Sequence, residues 1–433
     1  MNKDERDLVI VAGWRTPFCK AGGVMQGASA ADLAAHVFRE VLDRTGIDPR
    51  AIDETILGCA GPDASEANVA RVAALRAGLP KETPALTVMR NCASGMEALL
   101  AAQQRLRAGD GEVFLVGGAE SMSNFPLLMG KRLVKFFTGM SKARTVAQRL
   151  LALSRFRPSS LKPRIAVVEG LTDPITGLMM GNTAENVARL FGIGRAEMDA
   201  FALQSHQRAE RAVADGKFAA EIAAYPSPPE YAAMVAQDDG VRAGQTIEAL
   251  QKLRPVFDKN AGDVTVGNAC QISDGAVGLL CTSMRRAKQL GLQPIAAIRG
   301  HARVGLAPEF MGLGPVHATP KALQEAGVKF SDLDLVEINE AFAAQVLGCQ
   351  KAFASADYCK RELGLDAPIG ELDLAKTNVN GGAIALGHPI AASGARLPLT
   401  LAHELRRRGR RYGLAALCIG GGQGQALVIE SLP

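Results

Sequence analysis

The feature that most constrains the fold is an internal repeat of a helix followed by a strand. The stretches "CASGMEALLAAQQRLRAGDGEVFLVGG" (92–118) and "AASGARLPLTLAHELRRRGRRYGLAALCIGGG" (391–422) both place Ala-Ser-Gly at a predicted helix start. Both then run through a basic residue and a glycine into an apolar strand that ends in glycines. Such self-similarity is typical of duplicated units, with chance similarity of two strand–helix units as the alternative. It predicts two α/β halves of similar topology.

Strands alternate with helices around the first copy of the repeat. The runs "DLVIVAG", "ETILGCA" and "EVFLVGGAESM" have the apolar pattern of buried strands, and "SAADLAAHVFREVLDRTG" has helical spacing between a serine and a glycine. This alternation indicates a parallel, doubly wound sheet. Between about 125 and 270 the alternation breaks and the chain becomes helical and loop-rich.

The predicted fold class is therefore α/β, with two similar sheet-and-helix halves facing each other. The expected N-terminal half comprises residues 1–121 and 273–293, and the C-terminal half comprises 294–433. Residues 122–272 form a mostly helical loop domain that contains a basic insertion. Facing halves would bring the loops at their strand ends into one cleft, where open α/β sheets build their sites.

Composition restricts the class of protein. The 433 residues are 48% hydrophobic and 21% charged, as in ordinary globular proteins. The N-terminal stretch carries charges but no apolar core of a signal peptide, and no uncharged apolar run approaches the roughly 18 residues of a membrane span. The eight cysteines contain no C-x-x-C pair, which argues against a zinc site and a disulfide framework. We expect a cytoplasmic protein without a bound metal.

The basic residues are concentrated in one segment. Residues 131–164 contain ten Lys or Arg and no Asp or Glu, whereas the whole chain has a net charge of only +5. This distribution indicates a polyanionic partner, such as a phosphate-rich cofactor, an anionic membrane or an acidic protein; a solvated basic face is the alternative. The segment has few aromatic residues for base stacking, so nucleic acid is not expected. The apolar residues that could lie on an anionic interface are Leu133, Val134, Leu150, Leu151 and Leu153.

Three polar positions follow predicted strands and suit acyl chemistry. Cys92 opens a helix, where the positive end of the dipole favours a thiolate. His388 precedes the equivalent helix of the second half and could accept the thiol proton. Cys418 leads into a run of glycines whose N–H groups could stabilise an oxyanion. Taken singly, each residue also fits a buried structural position.

The motifs that contain these residues resemble those of the thiolase family. They occur in the family's order and are "NCASGMEA", "GGAESMSNFP", "MGNTAENVA", "GNACQISDGA", "FMGLGP", "NEAFAAQ", "NVNGGAIALGHPIAASGAR" and "CIGGGQGQALVIE". The resemblance extends from "RTPFCKAGG" to the C-terminal end and implies a five-layered sheet/helix sandwich. It also implies an acyltransferase that uses coenzyme A as a substrate and holds no bound cofactor.

The resemblance implies a role for each matching residue. Cys92 would attack the 3-keto carbon of a 3-ketoacyl-CoA after activation by His388, and Cys418 would protonate the departing enolate of acetyl-CoA. His388 and a water held by Asn339 would form one oxyanion hole, and the amides of Cys92 and Gly420 would form the second. Run in reverse, the reaction is a Claisen condensation.

Four further positions match the thioester pocket of the family. They are Met180, Cys270, Met311 and Phe342, for which core packing is the alternative role. Cys270 stands where many members have a serine that contacts the pantetheine, and Met179 stands where many short-chain members have a histidine. These two differences leave the details of CoA recognition open.

The basic insertion resembles that of the thiolase subunits of trifunctional fatty-acid oxidation complexes. That subgroup usually has His-Glu-Ala-Phe where this chain has "NEAF", so the assignment is mixed. The resemblance implies at least a homodimer or a dimer of dimers, a hydratase/dehydrogenase partner and a peripheral membrane contact through 131–164.

Function in fatty-acid β-oxidation is the first prediction, and an acetoacetyl-CoA thiolase is the alternative within the family. Cys418 argues against a carrier-protein-dependent ketosynthase, which has histidine or asparagine at that position. An inactive lipid-binding or scaffold subunit should have lost at least one of Cys92, Asn339, His388 and Cys418, and all four are present.

Overall fold

The computed structural model describes residues 7–154 and 156–432, so Arg155 of the basic segment lies outside the described residues. The strands are β1 (Leu8–Arg15), β2 (Cys19–Lys20), β3 (Glu54–Gly58), β4 (Ala85–Val88), β5 (Val113–Ser121), β6 (Leu127–Leu128), β7 (Arg164–Ile165), β8 (Tyr225–Pro226), β9 (Met234–Val235), β10 (Ser273–Ser283), β11 (Ala296–Gly305), β12 (Leu335–Ile338), β13 (Tyr412–Ile419) and β14 (Gln423–Ser431). The helices are α1 (Ala30–Thr45), α2 (Val69–Arg76), α3 (Ser94–Ala108), α4 (Lys131–Lys142), α5 (Val146–Ser154), α6 (Ala166–Gly170), α7 (Met180–Phe191), α8 (Arg195–Ala214), α9 (Ile247–Gln251), α10 (Met284–Gln289), α11 (Gly314–Ala326), α12 (Ala343–Ala354), α13 (Ala356–Leu363), α14 (Ala383–Leu386) and α15 (Ile390–Arg407).

The strands of both halves form one hydrogen-bonded sheet in the order β4-β3-β5-β10-β1-β11-β14-β13-β12. The halves join where Val9 and Ile10 of β1 pair with Ala297 and Ala296 of β11. Pairing is parallel within β4-β3-β5 and between β12 and β13, but antiparallel for β10 against its neighbours and for β14 against its neighbours. The expectation of a parallel sheet is therefore wrong at its centre, because every pairing from β5 through β10, β1, β11 and β14 to β13 is antiparallel.

Helices cover the sheet in layers. Helices α3 and α15, which begin the two copies of the repeat, pack against each other and share a core with strands of both halves. Helices α1 and α2 form a second core on the other face of the N-terminal strands, and α11 and α12 do the same for the C-terminal strands. The N-terminal and C-terminal parts of this one sheet form two layers, so the arrangement is helix–sheet–helix–sheet–helix, which confirms the predicted α/β fold class.

The two copies of the Ala-Ser-Gly repeat meet where α3 and α15 cross. A Cβ atom on Gly95 would lie 2.5 Å from the Ala391 carbonyl oxygen, and one on Gly394 would lie 2.7 Å from the Met96 backbone nitrogen. Real Cβ atoms do not approach backbone this closely, so both positions require glycine. The close crossing brings the N-terminal ends of the two helices together.

Substitution of Gly95 by alanine should destabilise the fold. Because the added methyl would overlap backbone atoms of α15, we expect the free energy of unfolding to fall by about 1–3 kcal/mol. Gly139 is the matched control, since it lies in exposed α4 and a Cβ added there would have no atom within 4 Å, so alanine should be neutral or slightly stabilising. Urea denaturation of the two variants measures the difference. Equal stability of both variants and the parent would contradict the close crossing.

Residues 122–272 carry helices α4 to α9 and the short strand pairs β6–β7 and β8–β9. Arg15 of β1 is fully buried and ties this region to the sheet, with Nε 2.7 Å from Glu221 and Nη1 2.6 Å from Asp238. The domain boundaries at 121/122, 272/273 and 293/294 stay a prediction.

In the basic segment, α4 and α5 pack against each other. Val134, Leu150, Leu151 and Leu153 are about half exposed, but Leu133 is buried and is therefore wrongly placed among the predicted interface residues. The reason is that Leu133 lies on the inner side of α4. Among residues 7–154 and 156–432, no helix has the length and apolarity that crossing a membrane requires.

Candidate active site

Cys92 lies in a single tight turn, Asn91–Ala93, between β4 and α3. The Ser94 hydroxyl accepts a hydrogen bond from the Arg90 N–H (2.8 Å) and donates one to the Asn91 carbonyl (2.7 Å), which stabilises the turn. Asn91 has φ +44°, in the left-handed region that asparagine tolerates better than most residues. Cys92 therefore precedes the first residue of the helix, close to where the sequence places it.

The surroundings of the Cys92 thiol have opposing effects on its pKa. Burial dominates and raises its pKa to about 11, whereas the backbone N–H groups of Gly420 and of Cys92 itself lower the pKa. Ionised Glu120 adds a further small increase. In the resting state the thiol is therefore protonated, and a base is required to form the thiolate.

His388 lines the same cleft as Cys92. It follows Gly387 and precedes α15, and its own N–H donates to the Gln271 carbonyl at 3.0 Å. Burial, with a smaller contribution from the charge of Arg396, lowers its pKa to about 4, so the imidazole is neutral. A neutral ring has one nitrogen free to accept a proton.

Two side chains orient the imidazole. Nδ1 of His388 lies 2.6 Å from the Ser393 hydroxyl, and Nε2 lies 3.5 Å from Nδ2 of Asn339. With the Asn339 amide as donor, Nε2 is the acceptor and the ring proton sits on Nδ1 facing Ser393. Ser393 belongs to the second Ala-Ser-Gly copy, so the repeat supplies one serine to the Cys92 turn and another to the histidine.

Asn339 is fully buried at the end of β12, where its N–H donates to the Ala416 carbonyl at 3.0 Å. The next residue, Glu340, fixes this segment: its carboxylate accepts hydrogen bonds from the Ser205 hydroxyl (2.6 Å) and the Asn378 amide (2.9 Å). Burial raises the pKa of Glu340. The side chain of Asn339 is thereby held against His388.

Cys418 lies one residue before the end of β13 and is buried. Burial raises the pKa of its thiol well above the usual range, and the neighbouring cysteines Cys92, Cys349 and Cys270 raise it further. The thiol is therefore protonated at rest and can donate a proton. An anion on Cys418 would be short-lived and strongly basic.

A cleft of about 880 Å³ that opens to solvent joins these groups. Eight of the nine predicted site residues line it, namely Cys92, Met180, Cys270, Met311, Phe342, His388, Cys418 and Gly420. Asn339 contacts the site from behind, through His388. The lining is mostly apolar, with a few convergent polar groups, as is typical of small-molecule sites.

The "NACQ" loop lies between two other predicted motifs. Asn268 accepts a hydrogen bond from the Ala343 N–H, Cys270 donates its N–H to Ala341, and Gln271 accepts from His388. The Cys270 thiol shares the cleft with Cys92, and burial, together with Cys92, raises its pKa to about 12. A second apolar cleft of about 1430 Å³ adjoins the first through shared residues and is lined by Met179, Phe257, Val266 and the cations Lys20 and Arg242, among others.

The family assignment rests on the whole length of the chain. Residues 8–285 match the family described as "Thiolase, N-terminal domain", and residues 292–431 match "Thiolase, C-terminal domain". The chain belongs to the thiolase family. The predicted family and enzyme class are thereby confirmed.

Individual relatives agree with this assignment. The chain is 44% identical over 428 residues to the acetyl-CoA acetyltransferase of Chromobacterium violaceum, covering 98% of this chain and 99% of that protein. It is 40% identical over 428 residues to a 3-ketoacyl-CoA thiolase of Pectobacterium carotovorum, with 98% and 97% covered. Its structure is similar to that of human mitochondrial 3-ketoacyl-CoA thiolase, with a TM-score of 0.85, 38% identity and coverage of 99% and 100%.

Sequence reasoning missed two buried acids at this thiolase site, Glu340 and Glu120. Glu120 at the end of β5 accepts hydrogen bonds from the N–H groups of Gly61 (2.8 Å), Ala60 (3.1 Å) and Ala391 (3.2 Å). Its carboxylate therefore joins a wall of the cleft to the first turn of α15, and burial raises its pKa to about 7. The motif "GGAESMSNFP" marked the position, but nothing in it revealed the distant partners.

Proposed function

We propose that this protein is a thiolase that cleaves a 3-ketoacyl-CoA with CoA into acetyl-CoA and a shortened acyl-CoA, in fatty-acid β-oxidation. The observation that carries this proposal is the meeting of Cys92, His388 and Cys418 in one apolar cleft. A thiol nucleophile, a neutral imidazole and a protonated second thiol are the groups that the reaction requires.

In the first half of the reaction, Nε2 of His388 takes the Cys92 proton and the sulfur attacks the 3-keto carbon. The negative charge that develops on the ketone oxygen lies near the N–H groups of Cys92 and Gly420, which already face the sulfur. The bond between C2 and C3 then breaks and leaves an acyl thioester on Cys92. The departing acetyl-CoA enolate is stabilised by His388 and by a water held by Asn339, and it takes a proton from Cys418.

In the second half, the thiolate of Cys418 accepts the proton of a fresh CoA thiol. The CoA sulfur attacks the acyl carbon, the same two N–H groups stabilise the oxyanion, and Cys92 leaves as a thiolate. The shortened acyl-CoA is released and the Cys92 thiolate recovers its proton from His388. Coenzyme A acts as a substrate throughout, and the steps run backwards as a Claisen condensation.

The size and polarity of the cleft favour acyl chains longer than four carbons. Met180, Met311 and Phe342 present apolar surface beside Cys92, and the adjoining cleft of about 1430 Å³ is also mainly apolar. Each methylene group buried there contributes roughly 0.8 kcal/mol to binding. This supports a 3-ketoacyl-CoA thiolase over a strictly acetoacetyl-CoA-specific enzyme.

Trapping the intermediate tests the proposal. The purified protein is mixed with a 3-ketoacyl-CoA in the absence of free CoA, and the products are examined by mass spectrometry. We expect one equivalent of acetyl-CoA and a peptide containing Cys92 whose mass has increased by the acyl group. Acetyl-CoA release without a modified Cys92 peptide would contradict the proposed intermediate.

We also propose that the protein assembles at least as a dimer. Strand β4 is the last strand of the sheet, its residues are only partly buried, and Met89 directly beyond it is 64% exposed although it lines the cleft. An open sheet edge with apolar residues favours association with another chain. Light scattering of the purified protein distinguishes a homodimer or a dimer of dimers from a monomer.

The basic face of α4 and α5 supports a contact with an anionic membrane or with a hydratase/dehydrogenase subunit. Within the described part of the segment, Arg164 forms an ion pair with Glu169, whereas eight other cations have none. These are Lys131, Arg132, Lys135, Lys142, Arg144, Arg149, Arg157 and Lys162. Unneutralised charge beside exposed leucines is the pattern of a peripheral interface.

Sedimentation with vesicles tests the membrane contact. We expect binding to phosphatidylserine-containing vesicles that weakens as salt is raised, because each basic residue near the surface contributes about 1 kcal/mol. The double variant Lys135→Glu/Arg132→Glu should lose binding. The control is Lys81→Glu, which reverses an exposed charge outside the segment. Absence of binding by the parent protein would leave the hydratase/dehydrogenase subunit as the proposed partner.

A further inference from the structure

The turn between β13 and β14 is held at both ends by the two residues that precede the nucleophile. Nδ2 of Asn91 donates a hydrogen bond to the Gly420 carbonyl at 2.9 Å. Nη1 of Arg90 donates to Oε1 of Gln423 at 2.8 Å. These contacts cross from the N-terminal to the C-terminal half of the molecule, on either side of the site.

Gly420 is therefore held by a hydrogen bond to its carbonyl oxygen. Its N–H faces the Cys92 sulfur, and its carbonyl oxygen receives the Asn91 amide. The following residues Gly421 and Gly422 have φ values of +89° and +77°, so the turn has no side chains of its own to hold it in place. The Leu306 N–H holds the far side of the turn through the Gly422 carbonyl at 2.8 Å, and the Asn91 amide is the contact that holds Gly420 itself.

The backbone of Asn91 explains why an asparagine suits this position. With φ +44°, most side chains other than glycine would be strained, and asparagine and aspartate are the best tolerated. Glycine would accept the backbone but has no donor, and aspartate would accept it but cannot donate when ionised. Asparagine combines a tolerated left-handed backbone with an amide donor.

Arg90 is itself anchored. Its Nε donates to the Glu97 carboxylate at 2.9 Å, and the same carboxylate accepts from Nε of Arg303 at 2.8 Å and from the Gln425 amide at 3.2 Å. Glu97 belongs to α3, Arg303 to β11 and Gln425 to β14. Arg90 therefore holds the turn as part of a polar cluster that is shared by α3, β11 and β14.

We propose that Asn91 is a positioning residue that holds the Gly420 N–H on the thioester oxygen during acyl transfer at Cys92. The inference rests on the proposed thiolase function and extends it to a residue that the mechanism does not use directly. Asn91 acts through Gly420 and touches no reacting atom in this account. Its contribution should appear in the rate of acyl transfer and not in the affinity for the substrate.

Steady-state kinetics of the Asn91→Gly variant test the proposal. Glycine keeps the left-handed backbone and removes only the donor. Because deletion of an oxyanion donor typically costs about 10²–10³-fold in kcat, and here the donor is displaced and not deleted, we expect a decrease of about 10–100-fold in kcat. KM for the 3-ketoacyl-CoA should change less than about threefold, as for an interaction made only in the transition state. Gln350→Ala is the matched control, since it removes an amide-to-carbonyl hydrogen bond to Leu372 away from the cleft.

The Asn91→Asp variant tests the same proposal if the glycine variant fails to fold. It keeps the shape and the tolerated backbone and loses the donor, so kcat should fall at least as far. Parent-like kcat in either folded variant, or a loss confined to KM, would overturn the role of Asn91. Failure of the parent protein itself to cleave 3-ketoacyl-CoA would instead overturn the proposed function, so the two failures are distinguishable.

Discussion

Replacement of Cys92 by alanine should abolish thiolysis. The variant keeps the cleft, His388 and the oxyanion donors but has no atom that can carry the acyl group. Removal of a catalytic nucleophile lowers kcat on the order of 10⁶-fold in comparable covalent mechanisms, so the residual rate should be at background. The measurement is CoA-dependent loss of a 3-ketoacyl-CoA, combined with a search for protein-bound acyl label.

Cys359→Ala provides the control for this prediction. Cys359 is also a buried thiol, but it lies in α13 and does not line the cleft. Its loss should leave the turnover number unchanged. Recovery of the acyl label on the Cys92→Ala protein would show that another residue carries the intermediate and would refute the assignment of Cys92.

Replacement of Cys418 by serine should separate the acylation of Cys92 from proton transfer to and from carbon. Serine keeps the size and the donor, but its hydroxyl is a far weaker acid than a thiol, so proton transfer to and from carbon should slow by about 10²–10⁴-fold. Acylation of Cys92 by an acyl-CoA should still occur in a single turnover. Mass spectrometry follows that acylation, and the rate of carbon–carbon cleavage is measured in parallel.

An unimpaired rate of carbon–carbon cleavage in Cys418→Ser would contradict the role of Cys418 as the acid and base at carbon. Loss of acylation as well as cleavage would indicate that the serine disturbs Cys92 instead. The interpretation depends on the buried position of Cys418, where loss of hydration and, to a lesser extent, the neighbouring thiols raise its pKa and keep it protonated at rest.

The part of the fold that could be predicted from the sequence is the part encoded locally. The helix at 30–45 has caps and apolar spacing that identify it, and Ser29 and Gly46 are indeed the caps of α1. The helix at 94–108 has no side-chain N-cap and ends at Gly109. The repeated Ala-Ser-Gly predicts two similar halves. The direction of β10 and β14 was not predictable from the sequence. Strands that are buried on both faces show no alternation of apolar and polar residues, and distant strands decide how they pair.

The distinction between local patterns and distant contacts also applies to the site. The shared location of Cys92, His388 and Cys418 in one cleft could be predicted because each lies in a recognisable motif at the end of a strand, and their catalytic roles stay predictions. Glu120 and Asn91 form hydrogen bonds with Ala391 and Gly420, which are 271 and 329 residues away along the chain. Only the packing of one half against the other creates these contacts. Leu133 was misplaced for a related reason, since its burial depends on the packing of α4, which contacts α5.

The most direct test of the central claim is thiolysis by the purified protein, with free CoA and 3-ketoacyl-CoAs of four to sixteen carbons. Our account predicts acetyl-CoA as the constant product and a specificity, kcat/KM, that rises with chain length as more of the apolar cleft is filled. Activity confined to the four-carbon substrate would contradict the assignment to β-oxidation and indicate an acetoacetyl-CoA thiolase. Absence of acetyl-CoA formation from every substrate would contradict thiolase activity itself.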